Sequence, residues 1–168
     1  ERHLKTLVGP PYWPVGFSDF AAKVFFHELR PGKKFSLNGL TVDTMEGNHP
    51  GGSVLYRIDG KSMDGMIKSL VYALDCETDE KTSRRLKKFA EETDLLLWDA
   101  GFTKEDLKAG WGHSTWEQGV AVRRAARAEK VVMMHYNAEY DDMFLQRLEE
   151  TAKKEDGAVI FAREGMKL

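Results

Sequence analysis

The chain has a single cysteine, Cys76, so no intrachain disulfide can form and nothing points to an oxidising compartment; the cytoplasm is the expected location. It has no apolar run of about eighteen residues and no charged start followed by an apolar segment and cleavage site, so neither a membrane-spanning helix nor a signal peptide is visible. An excess of basic charge is also lacking: 25 Lys and Arg stand against 27 Asp and Glu, for a net charge of −2. Holding nucleic acid through many phosphates needs a clear surplus of cations, so an extensive nucleic-acid surface is not expected, although a small phosphate-bearing substrate is compatible. The first residue is not methionine, and Glu1-Arg2-His3-Leu4-Lys5 reads like the interior of a longer chain.

What is present suits one globular domain over residues 1–168. At 42% hydrophobic and 11% aromatic content, a chain of this length can bury a real core. Gly9-Pro10-Pro11-Tyr12-Trp13-Pro14 is a rigid loop with expected aromatic contacts, because each proline fixes its own φ and biases its predecessor away from helix. Strand-forming residues fill 24–29, 40–45 and 53–58, with turns expected at Pro31-Gly32 and near Asp59-Gly60. The segment 61–68 reads as a loop. The apolar run 69–74 suits a central strand buried on both faces. From there strands and helices alternate: helix 80–92, strand 95–98, a helix or turn at 104–108, helix 114–128, strand 131–134, helix 139–154 with Met143, Leu145 and Leu148 in its core face, and strand 158–162. Such alternation is the signature of parallel pairing, and the fold class is α/β.

Three possible metal ligands, His49, Asp75 and His135, each lie just past a predicted strand end, where side chains from several strands can meet around one cleft. Singly, each is more often structural, and a lone His before Pro-Gly is usually a turn residue. Together they offer two imidazoles and a carboxylate, donors that suit zinc, in a pattern that would let one carboxylate lie between two ions. Ser114-Thr115-Trp116-Glu117 fits a capping box with Ser114 as N-cap, and the helix start it opens is a natural anion site with His113 at its mouth. The plainer reading is that Ser114 only caps and His113 satisfies a loop carbonyl. Asp99 is placed to hold the His113 imidazole in one tautomer, a pair able to deliver a proton to a leaving oxygen, or else simply opens the Ala100-Gly101 turn. His3 and His27 have no such context, and Cys76 reads as a packing residue.

These residues resemble the metallo-β-lactamase-fold hydrolases, in particular their ribonuclease-Z-like phosphodiesterase branch. Asn48-His49-Pro50-Gly51-Gly52 is similar to the family's third ligand motif, Leu74-Asp75-Cys76-Glu77 to its bridging-aspartate motif, Met134-His135-Tyr136 to its final histidine motif, and Gly112-His113-Ser114-Thr115 to its His-Ser-Thr element. Trp98-Asp99-Ala100 is similar to the strand end whose acid partners that histidine, where ribonuclease Z usually has Glu. The H-x-H-x-D-H loop of the family is absent from these residues.

The resemblance implies the second half of an αββα sandwich, a mixed sheet with helices on its outer face, the other half being expected upstream of Glu1. It implies two divalent ions, zinc foremost, with iron or manganese as alternatives. His49 and His135 would be ligands to separate metals and Asp75 the bridge. His113 with Asp99 would be the proton-donor pair, and Ser114 and Thr115 would orient a phosphate. The expected activity is phosphodiester hydrolysis by the intact protein. Hydrolysis of a thioester or lactam, or a non-catalytic binding module that keeps the fold, are the alternatives. The expected partners are a phosphodiester substrate and, covering the sheet, the missing half of the domain or a second copy of the chain.

Overall fold

The computed structural model describes residues 2–167, and the chain divides after Arg30 into two compact units. The first contains a short helix, α1 (Arg2–Leu7), and a 3-10 turn (Phe17–Asp19). Its ring contacts are made by Phe17, which meets Phe20 at 5.2 Å and Phe26 at 5.3 Å edge to face, whereas Tyr12 and Trp13, expected to supply such contacts, are exposed. The strand expected at 24–29 does not form. Strand propensity is realised only where a neighbouring strand shares backbone hydrogen bonds, and none of the described strands pairs with this segment.

The second unit is built on one seven-stranded sheet in which spatial order equals chain order. Strands β1 (Lys34–Leu37), β2 (Leu40–Gly47), β3 (Ser53–Lys61) and β4 (Ile67–Ala73) pair antiparallel, as short hairpins allow. β3 runs straight through Asp59-Gly60, where a turn was expected. A Cβ on Gly60 would stand 2.6 Å from Leu40 Cδ2, so the glycine serves close strand packing, and the turn forms later, where the Gly65 N–H donates to the Ser62 carbonyl at 2.9 Å.

From β4 onward the pairing is parallel. Helices α2 (Glu80–Phe89), α3 (Trp116–Ala126) and α4 (Asp142–Glu155) each return the chain so that β5 (Leu95–Asp99), β6 (Lys130–Met134) and β7 (Val159–Phe161) can lie beside their predecessors. Asp94 locks the first parallel register. Its carboxylate accepts from Ser69 N at 2.8 Å, Ser69 Oγ at 2.9 Å and Lys68 Nζ at 2.6 Å, while its own N–H donates to Ser69 Oγ at 3.0 Å. Hydrogen bonding to Lys68, followed by the Ser69 bonds, outweighs burial and holds this carboxyl at about 2.

One sheet face carries Met45, Leu55, Val71, Leu96, Trp98, Val131, Met133, Val159 and Phe161, all buried in one cluster with Leu86 and Ala90, Val120 and Ala126, and Ala152 from the helix layer. The opposite face is more open: Tyr72 is 38% exposed, and Tyr56, Ile58, Leu70, Leu95 and Leu97 are half-buried. β4 is therefore fully covered on only one side, in contrast to the expectation for 69–74. The mixed α/β sheet with helices on one face is otherwise the expected one. No helix among the described residues is long and apolar enough to cross a membrane.

Two helices differ from their expected phase. α3 begins one residue later than expected, with Thr115 and not Ser114 as N-cap. Thr115 Oγ1 accepts from Gln118 N and Gln118 Oε1 accepts from Thr115 N, a complete capping box that leaves Glu117 outside it. α4 starts after Asp141, whose side chain accepts from Phe144 N at 2.7 Å. It turns Leu145, Leu148, Glu149 and Ala152 inward, so Met143, off that stripe, is exposed. The Glu149 carboxylate is buried but paired, with Arg163 at 2.6 Å and Lys153 at 2.7 Å.

Gly119 lies where α3 crosses Trp98. The indole is 1% exposed and donates from Nε1 to the Thr115 carbonyl at 2.9 Å, and a Cβ on Gly119 would stand 2.6 Å from its Cδ1. Ala normally stabilises a helix interior relative to Gly, but here overpacking wins, so Gly119→Ala should lower unfolding stability by about 1–3 kcal/mol in urea titrations. A second outcome concerns pH. The Asp94 carboxyl sits below its ordinary value of 3.8, so the stability it adds is present above that value and is lost as pH falls toward about 2. Asp94→Asn should therefore lower the urea midpoint at neutral pH and leave it equal to wild type near pH 2.

Candidate metal centre

The parallel strands bring the site together. Ala73, Trp98 and Met133 are register neighbours, so the residues just beyond them emerge at one sheet edge. Asp99 ends β5. Asp75 and His135 follow β4 and β6 with φ of +50° and +63°, a left-handed backbone that few residues adopt outside Gly, Asn, Asp and His. His49 comes from the β2–β3 turn and His113 from the loop entering α3.

All five meet. One donor atom each from His49, Asp75 and His113 lie within 4.8 Å of one another, and the same holds for Asp75, Asp99 and His135. Asp75 is common to both sets. His135 Nε2 stands 3.5 Å from Asp75 Oδ1, and the His113 ring is 5.1 Å from that of His135 and 5.8 Å from that of His49.

Asp99 is 1% exposed and accepts four hydrogen bonds. His113 Nδ1 approaches its Oδ2 at 2.9 Å, Gly101 N its Oδ1 at 3.0 Å, Cys76 N its Oδ2 at 3.4 Å and Ser114 N its Oδ1 at 3.5 Å. A carboxylate only accepts, so this bond places a proton on His113 Nδ1 and leaves Nε2 as the working nitrogen. Gly101 fits this corner because a Cβ there would come 3.1 Å from Asp99 Oδ1.

Ser114 and Thr115 lie behind the site. Ser114 is fully buried, its hydroxyl donating to the Cys76 carbonyl at 2.6 Å and paired with Thr78 Oγ1 at 2.7 Å; Thr115, 1% exposed, caps α3. Cys76 is buried, and burial pushes its thiol up from its ordinary value; Sγ accepts from Asn48 N, as suits a packing residue.

Glu77 had no assigned role in the sequence reading. Its N–H donates to the Asn48 carbonyl at 2.8 Å, while Oε2 accepts from Gly110 N at 2.7 Å and Gly112 N at 3.2 Å. It thus joins the His49 turn, the Asp75 loop and the His113 loop. Its place two residues beyond Asp75 was the only local signal. Gly112, with φ +86°, lets the loop pass His49, since a Cβ there would stand 2.1 Å from His49 Cδ2.

The donor chemistry fits a divalent ion of the zinc type, which takes imidazole nitrogen and carboxylate oxygen. Asp75 and His135 are half-exposed and open to an incoming ion. His49 fits with one adjustment: its Nδ1 accepts from Gly51 N at 3.1 Å, so ligation through Nε2 requires the proton to leave that nitrogen, and ligation through Nδ1 requires the Gly51 contact to open.

Over 64 residues the chain is 38% identical to ribonuclease Z of Bacillus subtilis (strain 168), covering 37% of the chain and 21% of that enzyme. Over 86 residues it is 35% identical to ribonuclease Z of Archaeoglobus fulgidus, covering 49% of the chain and 28% of that enzyme. Among solved structures, the metallo-beta-lactamase fold protein YhfI from Bacillus subtilis superposes with a TM-score of 0.66 at 20% identity, over 82% of this chain and 52% of its own. The short form of human tRNase Z gives 0.57 at 19% identity, over 79% and 44%. The chain thus spans about half of these structures and under a third of these ribonucleases. The model of the beta-lactamase superfamily domain matches residues 10–136, most of the chain, and to that family this protein belongs.

Proposed function

We propose that the intact protein is a metal-dependent hydrolase acting on a phosphodiester. The observation that carries the reading is Asp75, whose carboxylate comes within 4.8 Å of a ring nitrogen of His49 and of a ring nitrogen of His135 at a single sheet edge. His49 and His135 would each hold an ion, with Asp75 between the two. Zinc suits these donors first, and iron or manganese are the alternatives. When bound, such ions supply Lewis acidity toward water and toward the oxygens of a phosphoryl group.

The chain's own residues would do the rest. His113, with its Nδ1 proton held by Asp99, would carry a second proton on Nε2 to the leaving oxygen. Ser114 and Thr115, their hydroxyls engaged with the protein, would serve a bound phosphate indirectly, by fixing the helix start and the loop that bears His113. The His113–Asp99 pair favours a phosphodiester over a thioester, because an alkoxide leaving group needs a proton donor whereas a thiolate leaves without one. The partly open sheet face carrying Tyr56, Ile58, Leu70 and Tyr72 would be covered by the other half of the domain or by a second copy of the chain, and further metal ligands would come from there.

Elemental analysis after dialysis against zinc tests the centre. Asp75→Asn should retain less than half of the wild-type metal, and an unchanged content refutes the bridging role. Asp99→Asn should keep its metal while turnover of bis(4-nitrophenyl) phosphate by the intact protein falls by about 10²-fold or more, the usual worth of a positioned proton donor. Unchanged turnover removes the dyad, and a metal-free wild type that binds without turnover favours a binding module.

A further inference from the structure

A cleft of about 390 Å³ opens beside the two imidazoles and is lined by Phe102, Lys108, Trp111, Asn137, His113 and His135 among others. Its most conspicuous wall is Trp111, 57% exposed on a loop between β5 and α3. Exposure of so large an apolar ring has a cost unless something covers it, yet the backbone that presents it is fixed. The amides on either side of Trp111, those of Gly110 and Gly112, both donate to Glu77 Oε2, and the Trp111 N–H donates to the Lys108 carbonyl at 3.3 Å.

The root of the same loop is also pinned. Thr103 N donates to Asp106 Oδ1 at 2.6 Å and the Tyr140 hydroxyl bonds Asp106 Oδ2; burial and that neighbouring carboxylate push the phenol up to about 12. The indole is therefore held at a set place relative to His113, one residue beyond Gly112.

Three features give the cleft its chemistry. Phe102 meets Trp111 at 6.4 Å nearly edge-on, making an aromatic corner, and Lys108 Nζ rests 4.4 Å from the Trp111 ring centroid. Asn137 accepts from Glu139 N through Oδ1, and its amide hydrogens have no partner among the described residues. An aromatic face, one exposed cation and an unengaged amide donor match a planar heterocycle that carries acceptors and sits next to a phosphate.

We infer that this cleft is a nucleobase subsite, in which Trp111 stacks the base next to the scissile phosphate and Lys108 pairs with the phosphate. The inference deepens the phosphodiesterase reading and rests on it for the position of that phosphate. An exposed cation–π contact is weaker than stacking of a base on an indole, so an arriving base displaces the Lys108 amine from the ring and frees it for the phosphate. With a net charge of −2, and with the Glu139 carboxylate lining the cleft alongside the single Lys108 ammonium, the subsite holds one nucleotide and not an extended strand. Glu77 is the positioning residue of this subsite.

Titration of the ¹⁵N-labelled protein in EDTA, read at the tryptophan indole resonances, tests the subsite without metal or turnover. Adenosine 5′-monophosphate should shift the Trp111 signal and bind at least about fivefold more tightly than ribose 5-phosphate, the lower end of what one stacked base contributes. Trp111→Phe should keep that preference and Trp111→Ala should abolish it, with unmoved Trp98 and Trp116 signals showing that the core is intact. Glu77→Gln should weaken adenosine 5′-monophosphate binding while Trp111 is still present. Equal affinity for the two ligands, shifts that bypass Trp111, or no binding of either at millimolar concentration overturns the inference. Metal content and diester turnover are measured separately, so loss of those with the base preference intact sinks the hydrolase reading alone.

Discussion

The Asp99 carboxylate is the constraint on which the site depends. It is buried to 1% exposure at the end of β5, where an unpaired charge would be prohibitive, and it is tolerated because its oxygens accept from Cys76, Gly101, Ser114 and His113. Those four donors come from two different strand-to-helix connections. One carboxylate thereby ties the Asp75 loop to the His113 loop and fixes the tautomer of the imidazole between them. The Ser114 hydroxyl repeats the tie through the Cys76 carbonyl, and Glu77 repeats it through Gly110 and Gly112.

That tie is only useful because the sheet supplies its geometry. Parallel register between β4, β5 and β6 delivers three chain segments to the same edge, with Asp94 and Ser69 setting the first pair and the Trp98 indole wedged against α3 setting the depth of the layer above it. The left-handed φ at Asp75 and at His135 then turns both chains at once. Positions like these are sparsely populated and cost energy, so they persist only where the surrounding hydrogen bonds over-determine them.

Much of this was legible in the sequence, and the reasons differ by residue. The strands 69–74, 95–98 and 131–134 were readable because an apolar run bounded by polar residues has few other homes; Asp75, Asp99 and His135 each follow such a run, His113 opens the next helix, and His49 follows the alternating strand at 40–45. The helix start was misplaced by one residue because Ser114-Glu117 and Thr115-Gln118 both spell a capping box, and only the burial of Ser114 against Cys76 decides between them. Residues 24–29 read as a strand because propensity is local while pairing is not. The part played by Glu77 and the aromatic wall at Trp111 could not be seen, since both depend on a carboxylate reaching across more than thirty residues of chain.

The exposures of these groups separate two kinds of task. Asp99 at 1% and Ser114 at 0% are buried and fully hydrogen-bonded, whereas the side chains of Asp75 at 48% and His135 at 36% face outward with a single 3.5 Å approach between them. A group whose work is positional gains from burial, because low dielectric strengthens each bond it makes. A group that must accept an ion or exchange a proton has to keep a lone pair free and accessible. The chain meets both demands by placing the positioning carboxylate at the last residue of β5 and Asp75 and His135 beyond the ends of β4 and β6, so that the same backbone register that buries Asp99 exposes Asp75 and His135.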